Sequence, residues 1–521
     1  AAAKLRPVPA VSIIPALTDA DACVRWAAAY ALTRPRVAAG VRPLLGMLNG
    51  PAISASDASV SAPPAAYECA PSETRAMIAR ALAKPATGDS LAFSALAALR
   101  SLVTDVAPHV RINALRSIAT FADSGTNLLV AATRDPDANV RVAAAQSLSG
   151  RQLGPDAWPV LWSADTGLMY RRSLLESATR AGVELPAHKQ WALAADWRMR
   201  AALADAAAQA PTVARATALA TPLLGDPDPR VRQSALGAIA AFLDSTTVRA
   251  ERRSIVLAAL DDPDFFVRAT ALLAIADNAR ASEVPAVLRS YGRAAADSGN
   301  DARIAAIRYV ANAWRRDSAS FSDSARRGVA ELPASDDPLV RAEAQGISIL
   351  SSWPGTQGVS RDSAWYEAVV RDVVSPALRG RSSRARIETV RGPVTLELLG
   401  EDAPLTVANF ERLARAGYYR NVHFHRVVPN FVAQDGDPRG DGNGGPGYAI
   451  RDELNVRRYS RGAVGMALSG PDTGGSQYFL TLSPQPHLDA RYTIFARVIE
   501  GNEAMDALVQ GDAIHDIVIV P

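Results

Sequence analysis

The sequence predicts two dissimilar parts: an all-α solenoid of helical repeats over residues 1–374 and a mainly-β closed barrel with short helices over 385–521, joined by a linker at 375–384. Three observations lead there. One phrase recurs along the first part. From Arg386 the apolar residues change spacing from three and four to two. Gly-rich loops then separate many short apolar runs. At 521 residues the chain is too long for one ordinary domain, and 48% hydrophobic content suffices for sizeable cores.

The phrase is clearest in DPDANVRVAAAQSL (135–148), DPDPRVRQSALGAIAAFL (226–243), DDPDFFVRATALLAIA (261–276) and DDPLVRAEAQGISIL (336–350), with weaker copies at 19–32, 107–121 and 300–314. Asp before Pro supplies an N-cap oxygen, and Pro fits the first helical turn, where its missing N–H is not needed. Val, Ala and Leu at three- and four-residue spacing form one buried stripe, and alanine lets stacked helices approach closely. The Arg after the Val falls one turn beyond the capping aspartates, which predicts an Asp–Arg bridge between successive repeats. These features resemble HEAT repeats. The resemblance implies an extended surface that holds another protein, with mere spacing of the C-terminal part as the alternative. The Ser-, Ala- and Pro-rich segment 53–73 is expected to be an inserted loop, and SAWYEAVVRDVV (363–374) a last amphipathic stretch before the linker.

Several function classes drop out. The net charge of +3 is small, and neither part has the concentrated basic face that phosphate binding requires, so no nucleic-acid partner is expected. No run of about 18 apolar residues exists to cross a membrane as a helix. The opening AAAKLRP leads to the expectation of an exported, periplasmic protein after signal-peptide removal, with a trimmed cytoplasmic chain as the alternative. Cys23 and Cys69 either pair in an oxidising compartment or are two buried small hydrophobes. Two distant cysteines cannot make a zinc finger, and neither a metal nor a cofactor is expected.

In the second part, RIETV and VTLELL flank Arg391-Gly392-Pro393 as a β-hairpin. TVANFERLARAG (406–417) reads as a short helix ending at glycine. HFHRVV, YAIRDE, AVGMAL, QYFLTL, YTIFARV and HDIVIVP read as further strands, which together suggest the closed barrel.

Within FHRVVPNFVAQDGDP (424–438), Arg426 interrupts an apolar run. An arginine there is either a paired core ion or is aimed at something that binds. This stretch, with GAVGMALSGPDTGGSQYFLTL (462–482), PHLDARYTIFARVIEG (486–501) and VTLELLGEDAPLTVANF (394–410), resembles the cyclophilins, the peptidyl-prolyl cis–trans isomerase barrels. The resemblance covers about Arg384 to Pro521 and implies isomerisation of X-Pro bonds in proline-containing clients. It implies Arg426 as the catalytic donor and Gln434 as the residue that orients it and holds substrate backbone. It also implies a proline cup of Phe431, Val432, Phe479 and Leu488, with His487 and Tyr492 at the rim, and Ala467 and Gln477 touching the peptide before the proline.

Departures from the family pattern are Val432 for a common methionine, His487 for tryptophan, Tyr492 for histidine, and Asp435 for glycine. Asp435 is expected to bring a negative charge close to Arg426. His423 and His425 alternate on one strand without a third metal ligand, so His425 is expected to be a hydrogen-bonded barrel residue near the substrate and His423 exposed. GDPRGDGNGGPGY (436–448) lacks the G-K-[ST] of a phosphate loop and reads as a flexible loop beside the groove. The competing function is a scaffold subunit of a larger, periplasm-facing complex in which isomerase chemistry is residual.

Overall fold

The computed structural model describes residues 9–33, 38–50, 53, 69–84, 91–122, 124–154, 156–242, 249–354 and 362–520. The inserted loop expected at 53–73 falls mostly outside them. The chain divides into two compact units, Ala1–Leu174 with Ser363–Pro521, and Leu175–Asp362.

Helical repeats occupy the first part as the recurring phrase predicts. In the first unit, helices Ala22–Thr33, Pro71–Ala81, Pro108–Ile118 and Ala138–Ser147 pack side by side in that order. In the second, Trp197–Ala207, Pro229–Ala240, Phe265–Ala276, Asp301–Asp317 and Pro338–Ala344 do the same. With neighbours on both sides, these helices bury more than one stripe: Val140, Val142, Ala143, Ala144 and Ala145 are all inside.

The aspartates of the phrase divide their work. Asp228 and Asp337, each directly before a proline, cap their helices by accepting from Arg230 N at 2.9 Å and Leu339 N at 2.8 Å. In the other two strong copies the cap is the aspartate after the proline: Asp137 accepts from Val140 N, and Asp264 from Phe266 N and Val267 N. There the aspartate before the proline bridges to the preceding repeat instead. Arg232 donates through Nε and Nη2 to both oxygens of Asp262 at 2.8 Å, while its Nη1 reaches the carbonyls of Asp226 and Pro227. Arg111 with Asp135 and Arg200 with Asp226 repeat this geometry, and Arg75, Arg141 and Arg268 pair with Asp105, Asp165 and Asp297. Except at Arg75, which reaches the Ile53 carbonyl, each guanidinium thus ties its own loop to the next repeat. The hydrogen bonds it donates to Asp262 come first among the causes that raise the Arg232 pKa above the ordinary arginine value.

The barrel is one antiparallel sheet. Its strands are β1 (Arg384–Thr389), β2 (Gly392–Leu398), β3 (Val422–His423), β4 (Arg426–Val428), β5 (Val432–Asp435), β6 (Ala463–Met466), β7 (Tyr478–Thr481), β8 (Ile494–Glu500) and β9 (Ala513–Val520). They lie in the order β3-β9-β1-β2-β8-β6-β7-β5-β4. The two edge strands are separated in the chain by Phe424 and His425 alone, so the sheet must curl until its edges nearly meet. Helix Pro404–Arg415 plugs the interior with Phe410, whose ring meets Tyr419, Tyr478 and Phe495 at 5.2–5.6 Å between centroids. The helix ends before Gly417, at φ +69°, as expected.

Two expectations need correction. YAIRDE forms no strand, only a bridge from Ile450 to Gly474. Its polar residues serve elsewhere: Glu453 accepts from Leu405 N, Thr406 N and Thr406 Oγ1, capping the helix, and Asp452 accepts from Asp472 N. The linker expected at 375–384 begins as helix Ser375–Leu378, continuous through a wider turn with helix Ser363–Val369. Val369 and Val373 join the barrel core, so this segment is part of the barrel's packing.

Truncating one partner of a ladder pair leaves the other charge unpaired in a mostly buried place. Asp262→Ala is expected to cost about 3–5 kcal/mol. The loss should appear as faster amide exchange in Pro229–Ala240 and Phe265–Ala276, and the double change Arg232→Met, Asp262→Leu should recover much of it.

Candidate functional site

Arg426 opens β4 and stands opposite Gln434 in the β4–β5 register, while β5 sets Gln434 opposite Phe479 of β7. Side chains alternate along a strand, so Val432 and Gln434 share one face of β5, and Ala433 and Asp435 the other. Ala433 belongs to the barrel core. Val432 and Phe479 join a separate apolar cluster with Leu488, Tyr459, Ala463 and Ile494, against which Phe431, Ala467 and Tyr492 pack. The structure therefore gathers the expected cup and rim around one floor. Tyr492 meets Phe479 edge-on at 5.9 Å, and His487 stacks on Phe431 at 5.7 Å.

The Arg426 guanidinium lies 5.5 Å from the centre of the Phe431 ring, and its Nη1 donates to Gln434 Oε1 at 3.4 Å. Gln434 Nε2 donates to Gln477 Oε1 at 3.1 Å, and Gln477 Nε2 donates to the carbonyls of Gly442 and Gly444. An amide relay thus fixes the arginine to the loop. Ala467 N donates to Gln477 O at 2.9 Å, which brings those two residues together as well. Among the described residues no carboxylate pairs with Arg426. The side chain is exposed along the groove. Partial desolvation lowers its pKa, with Tyr492 acting the other way, and an arginine so placed remains a cation at neutral pH.

Four expectations change here. Asp435 is on the barrel side of β5, fully buried among Tyr419, Tyr478 and Asp437, and brings no charge to the groove. Burial, reinforced by Asp437, pushes its pKa up to about 7. His425 is not hydrogen-bonded: neither ring nitrogen has a partner among the described residues, and the ring faces the 436–448 loop rather than the cup. Burial lowers its pKa, so the ring is neutral at physiological pH. The loop is pinned rather than loose, because Asp437 accepts from Arg439 N, Asp441 N and Gly442 N. His423, expected to be exposed on one strand with His425, is half-buried on β3, opposite Ala513, and the strand ends before His425. No group of three His, Cys, Asp or Glu side chains suited to a metal occurs among the described residues. Cys23 and Cys69 are joined as a disulfide.

Sequence reasoning missed Tyr459, which stacks under Phe479 at 5.5 Å and donates to Thr493 O. It sits outside any periodic run. The one signal for it is Gly465 of β6, where an added Cβ would lie 2.2 Å from Tyr459 Oη and 2.6 Å from Phe479 Cζ. Only glycine lets β6 pass beneath these rings.

Residues 384–520 match the family described as cyclophilin type peptidyl-prolyl cis-trans isomerase/CLD, and residues 65–149 and 96–177 match HEAT repeats. A peptidyl-prolyl cis-trans isomerase of Helicobacter pylori is 44% identical over 142 residues, covering 26% of this chain and 87% of the relative. Peptidyl-prolyl cis-trans isomerase B of Bacillus subtilis is 47% identical over 126 residues, covering 24% of this chain and 88% of its own.

Because the folded Asp435 value is raised from an unfolded value near ~3.9, the native state holds the extra proton, and stability is lost as pH rises through the window from about 4 to about 7. Asp435→Asn is expected to remove this loss. Urea midpoints across that window should fall more steeply for the natural protein than for the variant, and parallel curves would contradict it.

Proposed function

The chain belongs to the cyclophilin-type peptidyl-prolyl cis–trans isomerase family, and we propose that Arg426 and Gln434 are the groups through which it turns the X-Pro bonds of client proteins. An X-Pro bond resists rotation because amide resonance holds it planar, with a barrier near ~18–20 kcal/mol for peptide bonds. No covalent bond must change, so the catalyst need only hold the twisted amide better than either planar form. Twisting localises a lone pair on the prolyl nitrogen. A fixed guanidinium donates to that lone pair more strongly as it forms, which lowers the barrier.

The observation that carries this reading is an arginine held by an amide, free of carboxylates, above an apolar floor. In the proposal the proline ring enters the cup of Phe431, Val432, Phe479 and Leu488, Ala467 and Gln477 meet the residues before it, and Tyr492 and His487 close the rim. A scaffold with unused chemistry has no need of a cation kept unpaired. The HEAT repeats, an architecture whose extended surfaces bind proteins, hold the client or the assembly it belongs to. We further infer that the protein resides in an oxidising compartment, the bacterial periplasm. The Cys23–Cys69 bond supports this, since such bonds persist there and are rare in the cytosol.

The full chain is expected to accelerate cis–trans exchange in a proline peptide, followed by exchange spectroscopy. Arg426→Ala should lower kcat by about 10²–10³, as removal of a transition-state donor does elsewhere, with an unchanged circular dichroism spectrum. A natural chain that leaves the exchange rate untouched would reject the proposal. Separately, reducing the disulfide should lower stability by about 2–4 kcal/mol. Alkylation of the protein from its native source should find both cysteines protected until reductant is added.

A further inference from the structure

We propose that the first helical repeats are part of the isomerase site, and that Tyr30 and Arg116 are positioning residues for the walls of the proline cup. This rests on reading Arg426 and its apolar floor as that site. Two loops frame the cup. The turn from β4 to β5, Pro429-Asn430, leads into Phe431. The loop after β7 carries His487 and Leu488. The repeats, remote in sequence, touch both.

Arg116, on helix Pro108–Ile118, donates through Nη1 to the Pro429 carbonyl at 3.2 Å. From the barrel side, Ser483 Oγ and Gln485 Nε2 donate to the neighbouring Asn430 carbonyl at 2.8 and 3.3 Å. The turn is therefore gripped on both flanks. Burial, with Arg80 adding repulsion, brings the Arg116 pKa down to about 10, and a cation so desolvated depends on the acceptors it has. Tyr30, on helix Ala22–Thr33, is 6% exposed and stacks on Trp26 at 5.3 Å. Its Oη lies 3.5 Å from His487 Nδ1, and the His487 ring in turn stacks on Phe431. A third contact seats the next helix, Ala138–Ser147, on the barrel: the buried Asn139 Nδ2 donates to Leu508 O at 3.0 Å.

These contacts set where the cup's rim stands and leave the reacting atoms to Arg426. Their loss should weaken ground-state and transition-state binding together, which raises KM and spares kcat. This is the opposite split from loss of Arg426.

The test uses the full chain with Tyr30→Phe, Arg116→Met and the two combined. Each single change is expected to raise KM for a proline peptide about threefold to tenfold, the worth of one hydrogen bond, with kcat held. Tyr30→Phe, which removes one oxygen, should also shift the ring resonances of His487, and Arg116→Lys should recover part of the loss. KM and His487 resonances unchanged in variants that melt like the natural protein overturn the inference. Arg426→Ala as active as the natural chain overturns the reading beneath it, and the inference with it.

Discussion

The hydrogen bond from Arg426 to the neutral side chain of Gln434 fixes the character of the whole site. In the repeats several largely buried arginines spend their charge on carboxylates, as Arg111, Arg200 and Arg232 do. A carboxylate opposite Arg426 would orient it equally well and cancel its field. An amide orients without cancelling, and it passes the constraint on through Gln477 to the carbonyls of Gly442 and Gly444. The register of β4 on β5 and of β5 on β7 is what makes this relay possible. The Phe431 face beneath keeps water off one side, so the field that remains is strong.

The repeats solve the opposite problem, joining units that have no common sheet. At the Arg111, Arg200 and Arg232 junctions one guanidinium reaches the carboxylate of the next repeat and the carbonyls of its own loop, which fixes separation and angle together. Because each repeat is tied to its neighbours, the array is built from nearest-neighbour terms. Alanine-rich helices leave little slack between those ties.

Much of this could be read from residues alone. The aspartate-proline phrase located the repeats and their bridges, and the run around Arg426 located the cup. The errors have physical causes. Asp435 follows Gln434 in the chain, but one step along a strand turns a side chain to the other face, and the burial of that face overrode proximity. YAIRDE has the alternation of a strand, yet its acidic groups are drawn to helix N–H groups and a turn. The linker looked polar, yet it continues the helix whose Val369 and Val373 join the barrel core, and its own Ala377 is buried. Tyr459 and the contacts of Tyr30 and Arg116 with the cup leave no local period, since the partners lie hundreds of residues apart.

The sheet ends in β3 and β4, strands of two and three residues. A folding catalyst spends its life beside unfolded chains, whose own unpaired backbone seeks any ladder that will accept it. Edges this brief, joined to each other by two residues, offer little template of their own, and the longer open rim is β9, which β3 covers only at Ala513 and Ile514. The barrel therefore confines its open backbone to one stretch of one strand.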